Sequence, residues 1–350
     1  MRGRGQFTLA AVALAGAALG AQGVQYVRVA DIPIGGAGSW DYAAVDTAGK
    51  RLYVSHATEV VVIDTGTGTV VGRIAAGPGV HGMAMVPALN RVYITNGRGA
   101  NPDGSLGNVS VVDAKTLETL SKVPTGLGPD AILYEPKHKE IYSFNHSGKS
   151  VTTFDAASGK VSSTIPLAGV AEFGQVDGDR VFVNIEDKDA IDVIDINRHE
   201  VVAHWPVAPA EGPTGMALDA ANHRLFVGGG KAVVMIDDTI GKVLASAPIC
   251  EGTDATAYDP SSRLVFVSCS DGHVTIARVE GPAKLTVVQT LETAPRSRTM
   301  TIDPATHKIY LAAVSLQPAD PNAAPPAAGQ RGRGPAPVPD SFKVLVFAPK

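Results

Sequence analysis

Arg91-Val92-Tyr93-Ile94-Thr95-Asn96 is one of seven similar segments in this sequence, and the spacing of these segments decides the fold. The segments begin at Arg51, Arg91, Glu140, Arg180, Arg224, Leu264 and Lys308. The intervals between successive starts are 40, 49, 40, 44, 40 and 44 residues. Repeats of about 40–45 residues built from β-prone apolar residues are typical of a β-propeller with one four-stranded sheet per repeat. The sequence therefore predicts an all-β, seven-bladed β-propeller.

Each repeat is expected to contain four strands, which we call a to d in chain order. In the first repeat these strands cover residues 42–46, 51–55, 60–64 and 69–74. The last repeat supplies only strands a, b and c before the chain ends. Residues 25–34 have a strand pattern but precede the first repeat, so we predict that they pair with residues 342–347 and complete the last blade. Such closure removes open sheet edges, and it makes residues 24–350 a single domain.

The first 23 residues have the pattern of a signal peptide. Arg2 and Arg4 precede an apolar run over residues 7–19, and small residues follow it. The run is too short to span a bilayer, and no later segment is long and apolar enough to do so. We therefore expect a periplasmic or secreted protein. Cys250 and Cys269 are predicted to form a disulfide in that oxidising compartment, and two free thiols are the alternative.

Two repeats carry long insertions between strands b and c. One covers residues 97–108, and the other covers residues 315–341 in the last blade. The second is rich in Pro, Ala and Gly, includes Arg331-Gly332-Arg333-Gly334, and is expected to be irregular. Because both insertions join the same two strands, we expect both to emerge on one face of the propeller.

A polar residue stands at the start of strand a in every repeat. Six of the seven lie ten residues before the first residue of the b-strand segment, and the fourth lies eight before it because its turn is shorter. The first strand of every propeller blade lines the central axis, so these side chains are predicted to form a ring at one mouth of the channel. They are Asp41, His81, Asp130, Glu172, Thr214, Asp254 and Arg298.

The ends of the b strands are expected to approach the same mouth. They offer further ligand-binding candidates, which are His56, Asn96, Asn145, His146 and Glu186. Polar groups that converge in a concavity are typical of a ligand site. The carboxylates, imidazoles and amides are also suited to a divalent cation, which we name as a candidate cofactor.

Three interpretations of this ring remain open at the level of sequence. A bound metal would polarise a carbonyl and activate water for lactone or ester hydrolysis. Alternatively, His81 would act as a general base tuned by Asp41 or Asp130. The structural alternative is that short polar residues satisfy backbone groups at strand ends and cap the turns between blades.

The sequence resembles the YVTN family of bacterial propellers, and more particularly its exported YncE-like members. The segment over residues 91–96 is close to the Tyr-Val-Thr-Asn repeat of that family, and the Asp-Pro turns at residues 259–260 and 303–304 also recur. The resemblance covers residues 24–350 and implies the propeller fold and export. It implies no single activity, because the same fold class serves lactonases, lyases and binding proteins.

We therefore expect an exported, monomeric binding protein that acts through the channel mouth and the insertion-bearing face. A metal-dependent hydrolase or lyase, similar to a lactonase, is the alternative. The predicted partner is a small molecule, a cell-surface component or a protein. The net charge of -4 argues against nucleic acid as the partner.

Overall fold

A computed structural model describes residues 24–97, 107–318 and 335–350. These ranges contain seven antiparallel sheets of four strands each, which are the seven predicted blades. Neighbouring blades contact one another through their first strands, which surround a central axis. The predicted all-β, seven-bladed propeller is thereby confirmed. Residues 1–23, which are predicted to be a signal peptide, lie outside the described residues, as do most of the first insertion and residues 319–334 of the second.

The 28 strands of the described ranges are numbered in chain order. Blades 1 to 3 contain β2 (Ala43–Asp46), β3 (Arg51–His56), β4 (Glu59–Asp64), β5 (Thr69–Ala75), β6 (Val80–Val86), β7 (Arg91–Asn96), β8 (Asn108–Asp113), β9 (Thr119–Pro124), β10 (Pro129–Glu135), β11 (Glu140–Asn145), β12 (Ser150–Asp155) and β13 (Val161–Pro166). Blades 4 to 6 contain β14 (Ala171–Asp177), β15 (Arg180–Ile185), β16 (Ala190–Asp195), β17 (Glu200–Pro206), β18 (Pro213–Asp219), β19 (Arg224–Gly229), β20 (Ala232–Asp237), β21 (Val243–Pro248), β22 (Thr253–Asp259), β23 (Leu264–Cys269), β24 (His273–Val279) and β25 (Leu285–Glu292). Short 3-10 turns occur at Pro87–Leu89, Glu186–Lys188 and Ala220–Asn222.

Blade 7 is assembled from both ends of the chain. It contains β26 (Met300–Asp303), β27 (Lys308–Ala313), β28 (Lys343–Pro349) and β1 (Tyr26–Pro33). Strand β1 is antiparallel to β28, and Tyr26 lies opposite Pro349 while Pro33 lies opposite Lys343. The N-terminal strand thus completes the last blade, as the sequence predicts.

The core lies between the blades and follows from the repeated b-strand segment. The aromatic residue of each segment is almost completely buried; the seven are Tyr53, Tyr93, Tyr142, Phe182, Phe226, Phe266 and Tyr310. Their apolar neighbours on strand c are buried as well, which accounts for the nearly continuous Val and Ile there. Each cluster of core residues mixes side chains from two adjacent blades, so the blades stabilise one another.

A disulfide joins Cys250 to Cys269, with 5.8 Å between the Cα atoms. Cys269 ends β23 opposite Thr253 at the start of β22, so the bond lies at the end of the blade where strand a begins. No helix of the described residues is long and apolar enough to cross a membrane.

Candidate functional site

The seven ring residues of the sequence all line one cavity at the mouth of the central channel. We call it the axial cavity, and its volume is about 590 Å³. That volume lies within the range of small-molecule sites, about 300–1,000 Å³. The residues are Asp41, His81, Asp130, Glu172, Thr214, Asp254 and Arg298.

Irregular pairing at the start of strand a positions five of these side chains. In blades 2 to 6 the register of strand a against strand b shifts at the ring residue and the residue after it. In blade 2, for example, the shift lies between Val80 and Met83 and so contains His81. A β-bulge of this kind re-aims a side chain that regular pairing would turn elsewhere. The recurring bulge therefore gives the propeller a ring of inward polar groups.

Hydroxyl groups near the ends of the b strands hold this ring in place. The backbone N–H groups of Asp41 and Tyr42 donate to Ser55 Oγ at 3.0 and 2.9 Å. The hydroxyl of Thr95 accepts a hydrogen bond from Gly82 N–H at 2.8 Å and donates to the Asp130 carbonyl at 2.5 Å. Thr95 thus ties the bulge of its own blade to the ring residue of the next blade.

Blades 4 and 6 use the same arrangement. Asn184 donates to the Thr214 carbonyl at 2.8 Å, and Ser268 donates to the Arg298 carbonyl. These residues position the ring although they do not line the cavity. The sequence carries a signal for them, because a hydroxyl or amide residue recurs at the fifth position of the b-strand segment.

His81 is the most tightly paired residue of the cavity. Its Nδ1 donates to Asp41 Oδ2 and lies 3.1 Å from Asp130 Oδ1. Burial lowers the pKa of His81, but the hydrogen bonds to Asp130 and Asp41 outweigh it and raise that pKa to about 9. The pairing with two carboxylates therefore favours the imidazolium form of His81, which has no free lone pair for general-base catalysis.

The remaining carboxyl groups of the cavity are less well compensated. Burial, together with the charges of Asp41, Glu172 and Asp130, raises the pKa of Asp254 to about 7, although Arg298 opposes this. The distance between Arg298 Nη1 and Asp254 Oδ1 is 3.6 Å, and Arg298 is half exposed. The fold thus holds a carboxyl group that is partly protonated near neutral pH.

Glu172 shows the same excess of acid on the other side of the ring. Burial raises the pKa of Glu172, although its hydrogen bond to His146 lowers it, and the charges of Asp130 and Glu186 raise it further. His146 Nε2 lies 3.3 Å from Glu172 Oε1, and this carboxylate raises the pKa of His146 despite its burial. Both His146 and Glu186 line the cavity, and Glu186 is exposed at its rim.

Apolar and aromatic side chains form the deeper part of the cavity. Tyr42 stacks on Phe173 with 6.2 Å between ring centroids, and its hydroxyl donates to Asp130 Oδ2 at 3.4 Å. Met216, Tyr258 and other apolar groups continue the wall. Burial and the surrounding carboxylates hold the pKa of Tyr42 well above its usual range, so its phenol remains neutral.

Three candidates from the b-strand ends do not line the cavity, and the structure corrects their predicted position. His56 is 3% exposed and stacks on Phe342 with 4.1 Å between ring centroids. Asn96 donates to Asn108 Oδ1 at 2.9 Å, and Asn145 donates to Thr152 Oγ1 at 3.0 Å. Asn96 and Asn145 thus bond within their own blades, and His56 packs against Phe342 of blade 7, because successive residues of a strand face opposite sides of the sheet.

Two groups of cavity residues have the composition of a cation site. One contains Asp41, His81 and Asp130, and the other contains His146, Glu172 and Glu186. In each group one donor atom per residue lies within 4.8 Å of the others. A metal in the first group must displace the proton that His81 shares with its carboxylates, whereas the second group opens to the rim.

Comparisons with known proteins agree with the fold and with the resemblance in the sequence. No family model matches the chain. "Uncharacterized protein YncE" of Salmonella typhimurium strain LT2 is 34% identical over 101 residues, which is 28% of this chain and 26% of that protein. The matched part of the chain is thus similar to YncE, and the described chain folds as a seven-bladed β-propeller. The protein of the same name from Salmonella typhi matches to the same extent, so the chain spans about a quarter of the length of these relatives.

A solved structure resembles the whole propeller. Hydrazine synthase of Kuenenia stuttgartiensis superposes with a TM-score of 0.67 and covers 85% of this chain and 96% of its own. The two sequences are 17% identical, so the likeness shows the fold alone.

Proposed function

We propose that this YncE-like propeller is an exported binding protein whose axial cavity takes a small organic molecule with a positively charged group. One observation carries the proposal, which is the excess of acid in the cavity. Five carboxyl groups face one guanidinium and two imidazoles; they are Asp41, Asp130, Glu172, Glu186 and Asp254. A cationic ligand relieves the repulsion among them.

The walls of the cavity favour an organic cation over a small inorganic ion. Aromatic faces attract cations, and Tyr42, Phe173 and Tyr258 supply such faces beside the carboxylates. The volume of about 590 Å³ is far larger than one metal ion needs. A molecule with an ammonium head and an apolar body satisfies both parts of the wall.

The hydrolase or lyase alternative is not carried forward. One of its two routes uses His81 as a general base, and the two carboxylates that pair with His81 favour its protonated form instead. The curated relatives supply no activity that favours it.

Export belongs to the same proposal. Residues 1–23 act as a signal peptide, and residues 24–350 form the mature propeller in the periplasm or outside the cell. The disulfide between Cys250 and Cys269 supports this location, because such bonds persist in oxidising compartments.

Calorimetric titration with benzyltrimethylammonium tests the binding proposal at pH 8. We expect this cation to bind and phenylacetate, an anion of similar size, not to bind. Asp254→Asn and Glu172→Gln should each weaken binding about tenfold, since each removes one charge beside the ligand. Glu200→Gln is the matched control, because Glu200 lies exposed on the outermost strand β17. Equal affinity for the two probes, or unchanged binding in both cavity variants, would refute the proposal.

A further inference from the structure

A second group of ligating side chains lies at the end of the blades opposite the axial cavity. Asp177 ends β14 in blade 4, His223 precedes β19 in blade 5, and Asp238 follows β20 in the same blade. One donor atom from each residue lies within 4.8 Å of the others. The group therefore bridges two neighbouring blades.

The propeller repeat does not require a carboxyl group at position 238. In each blade, one residue of strand c pairs with the start of strand b, and position 238 corresponds to the residue that follows it. The residue at this position differs from blade to blade; the equivalents are Thr65, Ala114, Ala156, Ile196 and Val279. Three of these are apolar and at most 3% exposed. Blade 5 thus places an aspartate where other blades place a buried alanine, isoleucine or valine.

Asp238 is buried without full compensation. It is 3% exposed, and among the described residues its Oδ2 atom has no hydrogen-bond partner. Leaving a buried carboxyl oxygen unpaired is costly, so this oxygen is available to bind a cation.

The neighbouring histidine places one ring nitrogen close to both carboxylates. His223 Nδ1 lies 3.2 Å from Asp238 Oδ1 and 3.7 Å from Asp177 Oδ2. In the equivalent pair between blades 6 and 7, His307 Nδ1 hydrogen-bonds Asp259 Oδ2 at 2.9 Å. Two ligand atoms of a tetrahedral Zn²⁺ site lie about 3.3 Å apart when each is about 2.0–2.1 Å from the metal.

We infer that Asp177, His223 and Asp238 bind a divalent transition-metal ion, with Zn²⁺ as the best fit. One imidazole nitrogen and two carboxylate oxygens suit this ion, and they leave a fourth position for water. His223 is 62% exposed, so the ion can enter from solvent. Its role is structural, because it links blades 4 and 5 and neutralises the buried Asp238.

Titration of chelator-treated protein with Zn²⁺ tests the inference. Asp238→Ala, which installs the residue of blades 2 and 3, should lower Zn²⁺ affinity at least tenfold. His223→Asn should have a similar effect and keep the fold, because Asn tolerates the φ of 54° at this position. His307→Asn is the matched control, since His307 has a similar φ of 58° and its pair with Asp259 lacks a third ligand. If Zn²⁺ binds in the axial cavity instead, Glu172→Gln should weaken its binding.

Thermal unfolding gives a second readout. Saturating Zn²⁺ should raise the unfolding midpoint of the wild type and of His307→Asn, but not that of Asp238→Ala or His223→Asn. The inference is overturned if the wild type binds no Zn²⁺, if both site variants bind it as tightly as the wild type, or if Glu172→Gln alone removes binding. The outcome of the Zn²⁺ experiments is independent of the organic-cation proposal, because the two sites have no residue in common.

Discussion

The positions of two ring residues, His81 and Thr214, depend on the glycine that follows each of them in the sequence. Thr214 is followed by Gly215, where a Cβ atom would lie 2.3 Å from the backbone N of Thr256. Gly82 follows His81, and a Cβ there would lie 2.7 Å from the carbonyl oxygen of Asp130. The inner strands approach so closely at these points that only glycine fits, and the polar residue before it is turned to the axis.

Asp254 should make stability depend on pH. Its pKa rises from 3.8 to about 7 on folding, so the folded protein binds the extra proton between these values. Stability therefore falls as pH rises from about 4 to 7, and the full cost is present above pH 7. Asp254→Asn should raise the midpoint of thermal unfolding by about 2–4 °C at pH 8 and by much less at pH 5.

Thermal unfolding at both pH values checks this expectation, with Glu200→Gln as the exposed control. A gain for Asp254→Asn that is equal at pH 5 and pH 8 would show that the ring does not hold this carboxyl group in its neutral form.

At the scale of the element, the N-terminal strand β1 pairs with a strand from the far end of the chain, β28. Tyr26 in β1 is 1% exposed and packs edge-to-face on Phe266 of blade 6, with 4.9 Å between ring centroids. Its backbone N–H and carbonyl also pair with the Gln289 side chain at 2.8 Å. One residue thus joins the chain start to two blades.

Tyr26→Ala should lower the free energy of unfolding by about 3–5 kcal/mol, because it removes a large buried ring and opens the seam at ring closure. Val29→Ala, on the same strand but 51% exposed, should change it by less than about 0.5 kcal/mol. Denaturant unfolding of both variants gives the comparison. Similar losses in the two would mean that β1 does not stabilise the ring through Tyr26.

At the scale of the whole molecule, the seven-fold repeat makes most of the fold readable from sequence. Strand order, ring closure and the convergence of seven polar residues all follow from one alignment of the repeats. The direction of the side chains at the b-strand ends is not predicted correctly from sequence. Side chains alternate along a strand, so those of Asn96 and Asn145 lie within the blade rather than at the mouth of the channel. The sequence alone also does not predict the protonation state of His81, since its pKa depends on carboxylates 40 and 49 residues away in the chain.

The cation site proposed between blades 4 and 5 was not visible in the sequence for a related reason. Asp177, His223 and Asp238 belong to different turns, and their approach depends on how adjacent blades pack. The local signal was Asp238 itself, which departs from the apolar residues of other repeats.

Proton release on ligand binding tests most directly whether the axial cavity is a cation site. Benzyltrimethylammonium should be titrated into the protein at pH 7 in two buffers of different ionisation enthalpy. The probe cannot titrate, so any proton comes from the protein. We predict proton release on binding, because burial and the neighbouring carboxylates raise the pKa of Asp254 to about 7 and a cation beside Asp254 favours its ionised form. Equal heats in both buffers, or proton uptake, would contradict the account.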